Sequence, residues 1–148
     1  ISKFGTDESV ELHANIEDDQ EYFELLRSAD ILIIPVNFDS ETVRYIKYSM
    51  PTKVPAYLLS GTPILVYGPN EVAQVKYANS AGWGYVISNR NQAKLMDAIC
   101  QLATDNNLRK SLSSQAHKTV VKNHDCQKVR TLFQQTLREA EGLFQQVT

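Results

Sequence analysis

The stretch Thr52-Lys53-Val54-Pro55-Ala56-Tyr57-Leu58-Leu59-Ser60-Gly61-Thr62-Pro63-Ile64-Leu65-Val66-Tyr67 holds a helix, its stop and the strand that follows. Residues 52–60 form a short helix that ends at Gly61, because glycine accepts the left-handed C′ conformation at no steric cost. Pro63–Tyr67 is continuously apolar rather than alternating, as suits a parallel strand covered on both faces. Upstream, Ile31–Val36 repeats that pattern. Two further strands are read at Val10–Asn15 and Trp83–Ile87.

Helical spacing fills the gaps between strands. Asp18 or Asp19 caps a helix that sets Tyr22, Phe23, Leu26 and Ala29 on one side. Asn70 is read as the cap of another, which runs to about Ala81 and stops at Gly82. Beyond Ile87 the strands cease. Leu95, Ile99 and Leu102 mark one helix, and Leu108, Leu112, Ala116 and Val120 the next. A long terminal helix from about Asp125 repeats Val129, Leu132, Phe133, Thr136, Leu137, Ala140 and Phe144. The expectation is an α/β fold: a doubly wound, Rossmann-like parallel sheet of about four strands over residues 1–88, then a helical tail over 89–148. A complete sheet of this kind usually has about six strands, so earlier strands are expected to precede Ile1.

The chain has 148 residues, 43% apolar and 22% charged. That suits one globular domain with a real core. A net charge of −2 argues against a nucleic-acid partner that needs broad phosphate neutralisation. The charge is uneven. Residues 1–41 carry eleven acidic side chains against Lys3 and Arg27, whereas 90–130 carry eight Lys or Arg against Asp97, Asp105 and Asp125. The basic segment reads as a solvated helical surface, with peripheral membrane contact as the alternative. No apolar run approaches the roughly 18 residues of a membrane span. Cys100 and Cys126 match no metal or disulfide pattern and read as reduced, partly buried thiols of a cytoplasmic protein.

In an open parallel sheet, ligands bind beyond the carboxyl ends of the strands. The segment from Asn37 to Pro51 is long for such a connection. It contains Arg44, Tyr45, Lys47, Tyr48, Ser49 and Met50 before entering Pro51-Thr52-Lys53. A basic, hydroxyl-rich loop that leads into a helix N-terminus suits a phosphate, with Lys53 as a point charge. Arg44 and Lys47 taken singly read as solvated loop charges.

These residues, in this order, resemble the C-terminal domain of family-four type glycosyltransferases of GT-B fold. The matching elements are Ala29-Asp30-Ile31-Leu32-Ile33-Ile34-Pro35, Ala56-Tyr57-Leu58-Leu59-Ser60-Gly61 and Thr62-Pro63-Ile64-Leu65-Val66. The likeness extends to Val10-Glu11-Leu12-His13-Ala14-Asn15 and Ala81-Gly82-Trp83-Gly84-Tyr85-Val86-Ile87, and covers about residues 10–88. It implies a nucleotide-diphosphate-sugar donor bound without metal or other cofactor, and an acceptor held by an N-terminal domain absent from this chain. It also implies that the chain alone does not complete the transfer. Carried over by position, Tyr48, Ser49, Met50, Pro51, Thr52 and Lys53 cradle diphosphate and sugar. Ala56 stands on the ribose side, and Ala14, Asn15 and Ile16 lie near the base. Many relatives carry glutamate at the positions of Tyr48 and Ala56, and Ala56 removes a ribose-accepting carboxylate.

Two readings from other classes stand beside this one. Ala56 favours a non-catalytic nucleotide-sugar-binding or assembly module. A receiver-like α/β domain would need a carboxylate at the end of a central strand, and Ile31–Pro35 ends in proline with Asn37 beyond. No nucleophile–base pair is evident, and no catalytic base is assigned.

Overall fold

A computed structural model describes residues 9–13 and 15–145, with side chains through residue 141. Among the described residues three strands, β1 (Leu32–Pro35), β2 (Ile64–Tyr67) and β3 (Tyr85–Ile87), form a parallel sheet in that order. Leu32 pairs with Ile64 and Leu65 with Tyr85. The helices are α1 (Asp19–Ser28), α2 (Ser40–Ile46), α3 (Lys53–Ser60), α4 (Ala73–Ala81), α5 (Gln92–Thr104), α6 (Asn106–Asn123) and α7 (Cys126–Gln145).

The core divides into two apolar clusters. In one, Leu32, Ile34, Ile64 and Val66 meet Leu26 of α1, Val54 and Leu58 of α3, Val75 and Ala78 of α4, and Ala116 and Val120 of α6. In the other, Leu65 and Ile87 meet Ala98 and Leu102 of α5, with Leu108 and Leu112 of α6 alongside. β2 therefore lies buried on both faces, as its unbroken apolar run requires. Trp83 is fully buried, its ring edge-to-face with Tyr77 at 5.7 Å between centroids.

The helix ends follow local chemistry. Asp18 Oδ1 accepts from the Glu21 amide at 2.8 Å and starts α1. Gly61 (φ 81°) and Gly82 (φ 67°) close α3 and α4 in the left-handed region, where a side chain would be strained. Asn91 and Asp105 cap α5 and α6 through the Lys94 and Leu108 amides.

Several expectations require correction. Val10–His13 and Asn15 are not in a strand, and Val10 and Leu12 are exposed. No ladder reaches this run among the described residues, and a strand needs a neighbouring strand to bond its backbone groups. β1 is covered on one face only, since Ile33 is 44% exposed and Pro35 is exposed. α5 crosses behind β2 and β3 and leaves the outer side of β1 open. The segment read as a long loop contains α2, capped by Asp39, which accepts from both the amide and the hydroxyl of Thr42. α4 begins at Ala73 rather than after Asn70, whose Oδ1 accepts from Asn79 Nδ2 at 3.2 Å instead of capping. Cys100 and Cys126 are both exposed, on the outward side of α5 and at the first position of α7. No described helix is long and apolar enough to cross a membrane.

Candidate functional site

Parallel strands bring their carboxyl ends to one edge of the sheet, and the local sequence opens a cleft there. Pairing continues one step past the strands. The Val36 amide donates to Tyr67 O at 2.7 Å and the Gly68 amide to Ile87 O at 3.1 Å. Gly68 sits so near β1 that a Cβ on it would stand 2.6 Å from Val36 Cβ. Phe38 and Tyr67 meet edge-to-face at 5.0 Å.

α2 forms one wall of the cleft. Ser40, Val43, Arg44 and Lys47 fall at i, i+3, i+4 and i+7, which is one face of a helix. Phe38, Pro69, Glu71 and Ser88 complete a volume of about 560 Å³. The Ala73 amide donates to Lys47 O at 2.8 Å and so fixes the end of α2 to the start of α4.

Two cations, one carboxylate and two hydroxyls thus belong to residues that line one cleft at the carboxyl edge. Among the described residues Arg44 forms no ion pair, and the Lys47 ammonium lies 5.5 Å over the Tyr48 ring. A guanidinium beside an ammonium suits a phosphate group. Glu71 would repel that phosphate and suits a hydroxyl donor on the same ligand.

The residues that the resemblance assigned lie beside this cleft rather than in its lining. Tyr48 is 86% exposed, and Ser49, Met50, Thr52 and Lys53 are exposed as well. The N-terminus of α3 offers fewer donors than its position implies. The Thr52 side chain makes no cap bond, the Val54 amide is bonded to Pro51 O at 3.1 Å, and Pro55 has no N–H. Lys53 Nζ lies 6.0 Å over the Tyr57 ring. Ala56 is half-buried and packs against the larger core cluster. Asn15 and Ile16 line a separate hollow with His13, Glu17, Asp18 and Glu21, whose acidity is unsuited to an anion. Ala14 falls outside the described residues.

Of the cleft lining, the sequence reading does not single out Phe38, Glu71 or Ser88, and it takes Arg44 and Lys47 singly as loop charges. The usable signal was the cap Asp39-x-x-Thr42, which converts 40–46 into a helix and gathers Arg44 and Lys47 on one side. Compared with known proteins, the chain matches no family model and no curated protein.

Proposed function

We propose that this chain is the donor-binding domain of a GT-B type glycosyltransferase, which holds a nucleotide-diphosphate sugar for transfer to an acceptor bound by another domain of the same protein. The supporting observation is a basic cleft, built by Arg44 and Lys47, at the carboxyl edge of a parallel sheet. That is the edge where open α/β sheets bind ligands. In this reading the Arg44 and Lys47 side chains hold the diphosphate, and Glu71 accepts a hydroxyl of the sugar or ribose. The loop from Tyr48 to Lys53 closes over the diphosphate. The departing diphosphate is stabilised by these fixed cations, without a metal.

The finer fold in this proposal is a doubly wound sheet that continues beyond β1. The exposure of Ile33 supports it. Its backbone groups also point away from β2, because the flanking Leu32 and Val36 amides both bond to the β2 side. The protein is proposed to work in the cytoplasm.

A non-catalytic nucleotide-sugar-binding or assembly module is the second reading, favoured by Ala56 in place of a ribose-binding carboxylate. The receiver-like reading loses ground, since the central strand β2 runs into Gly68 and Pro69 rather than a carboxylate.

Isothermal calorimetry with uridine, guanosine and adenosine diphosphates, with and without chelator, tests the proposal. The expected result is weak binding that chelation leaves intact. If no nucleoside diphosphate binds at millimolar concentration, the reading is wrong.

A further inference from the structure

α7 is 20 residues long, and every described side chain from Cys126 to Glu139 is exposed. Its apolar residues do not scatter. At 3.6 residues per turn, Val129, Phe133, Thr136 and Ala140 form one stripe. Leu132 borders it on one side and Leu137 on the other. Val129, Leu132, Phe133 and Leu137 are 50%, 66%, 64% and 54% exposed. A row of large apolar side chains left in water on one helix is a binding surface in search of its cover.

The charges beside the stripe identify the cover. Lys128 and Glu139 lie on the Leu132 flank, and Arg130 and Glu141 on the Leu137 flank. Each flank is thus basic toward the start of the helix and acidic toward its end. When two such helices pair antiparallel, each flank meets the same flank of its partner, as e meets e and g meets g in antiparallel coiled coils. Lys128 then faces Glu139 of the other copy, and Arg130 faces Glu141. The apolar stripe demands the same alignment. Val129 opposite Ala140 and Phe133 opposite Thr136 both place the two-fold axis between Gln134 and Gln135. The two charge pairs centre within one residue of that point, about 1.5 Å along the axis. A parallel pair would instead set Lys128 beside Arg130 and Glu139 beside Glu141, like against like.

We infer that α7 is a self-association helix, and that a second copy of this chain covers its apolar stripe in an antiparallel pair. Thr136 enters the interface already satisfied, because its hydroxyl donates to Leu132 O at 2.9 Å. Glu139 accepts from Gln135 Nε2 within its own helix at 2.9 Å and keeps its second oxygen for Lys128. The contact is small beside the roughly 1,200–2,000 Å² of a standard stable interface. The pair therefore forms and dissociates with concentration.

The test is sedimentation equilibrium of the full 148-residue chain over roughly 10–500 µM, the range expected of so small a contact. The expected result is a monomer–dimer equilibrium. Lys128→Glu with Arg130→Glu sets like charges against each other in the pair and is expected to weaken association by about tenfold or more. Glu139→Lys with Glu141→Lys does the same. A mixture of the two variants restores the dimer as a heterodimer, because the reversed charges complement one another. None of the four side chains touches the core, so circular dichroism should be unchanged. A monomer at every concentration overturns the proposal and leaves the stripe to a different partner. Association indifferent to charge reversal overturns it as well.

Discussion

Lys47 and Ala73 are joined through their backbones, the Ala73 amide donating to the Lys47 carbonyl at 2.8 Å. This bond ties the wall that carries Arg44 and Lys47 to the turn that carries Glu71. The cleft is therefore held from both sides by the backbone.

Arg44→Ala and Lys47→Ala are each expected to weaken nucleoside diphosphate binding by about tenfold or more, since a hydrogen bond to a charged group contributes about 1.5–3 kcal/mol. Both residues are exposed, so the thermal midpoint should hold. Lys53→Ala, measured beside them, separates the cleft from the N-terminus of α3. A loss confined to Lys53→Ala would move the phosphate site out of the cleft.

Ala56→Glu is expected to raise affinity for the nucleotide by about tenfold if its carboxylate reaches a ribose hydroxyl. The 2′-deoxynucleotide should gain less if the 2′-hydroxyl is the partner. Calorimetry on the parent and the variant reads both effects. Because Ala56 packs half-buried on the core, some loss of stability should accompany the gain.

What the residues alone disclose, and what they conceal, divides along physical lines. Gly61 and Gly82 are readable because each closes a helix by its own conformation. The runs at β1 and β2 are readable because a core demands apolar side chains. Val10 and Leu12 alternate like a strand, but alternation carries no information about whether a neighbouring strand exists to pair with. α2 escapes because it offers the core only Val43 and Ile46 in seven residues. With α2 hidden, Arg44 and Lys47 look like unrelated loop charges, and the lining of the cleft stays invisible. The motif that carried the family resemblance lies at the same edge of the sheet as the cleft. It named a loop one step farther along the chain than the cleft itself.

The Tyr77 hydroxyl lies 2.9 Å from His124 Nε2, and Asn123 Nδ2 donates to the same hydroxyl at 3.1 Å. An imidazole that is neutral and unprotonated at Nε2 can accept the Tyr77 hydroxyl proton there. Burial holds the His124 pKa below its ordinary 6.5. The folded state thus binds fewer protons than the unfolded state in this window. The stability this group contributes is present above about pH 6.5 and is lost as pH falls through the depressed value. Urea midpoints at pH 7.5 and 5.0 should differ more in the parent than in His124→Gln. Equal differences would remove His124 as the cause.

Gly68→Ala should destabilise the fold by about 1–3 kcal/mol, the usual cost of overpacking. Its new methyl would meet Val36 Cβ at 2.6 Å, and that atom is fixed to the backbone and cannot rotate aside. Urea denaturation measures the loss. Gly61→Ala is the comparison, because its Cβ meets nothing within 4 Å and only the positive φ opposes it.

Pro35 gives β1 a property unrelated to ligands. On the side away from β2, Ile33 can offer both a donor and an acceptor, while Pro35 offers a carbonyl alone. A foreign strand that docked along this edge would find its ladder broken at the second rung. Exposed strand edges are where soluble proteins begin to stack into fibrils, and proline at an edge is a common guard against it. With this edge uncovered, as it is among the described residues, β1 makes a poor template for aggregation, and a strand that continued the sheet would bond through Ile33 and the Pro35 carbonyl alone. Replacing Pro35 with valine would remove that protection while leaving every bond to β2 in place.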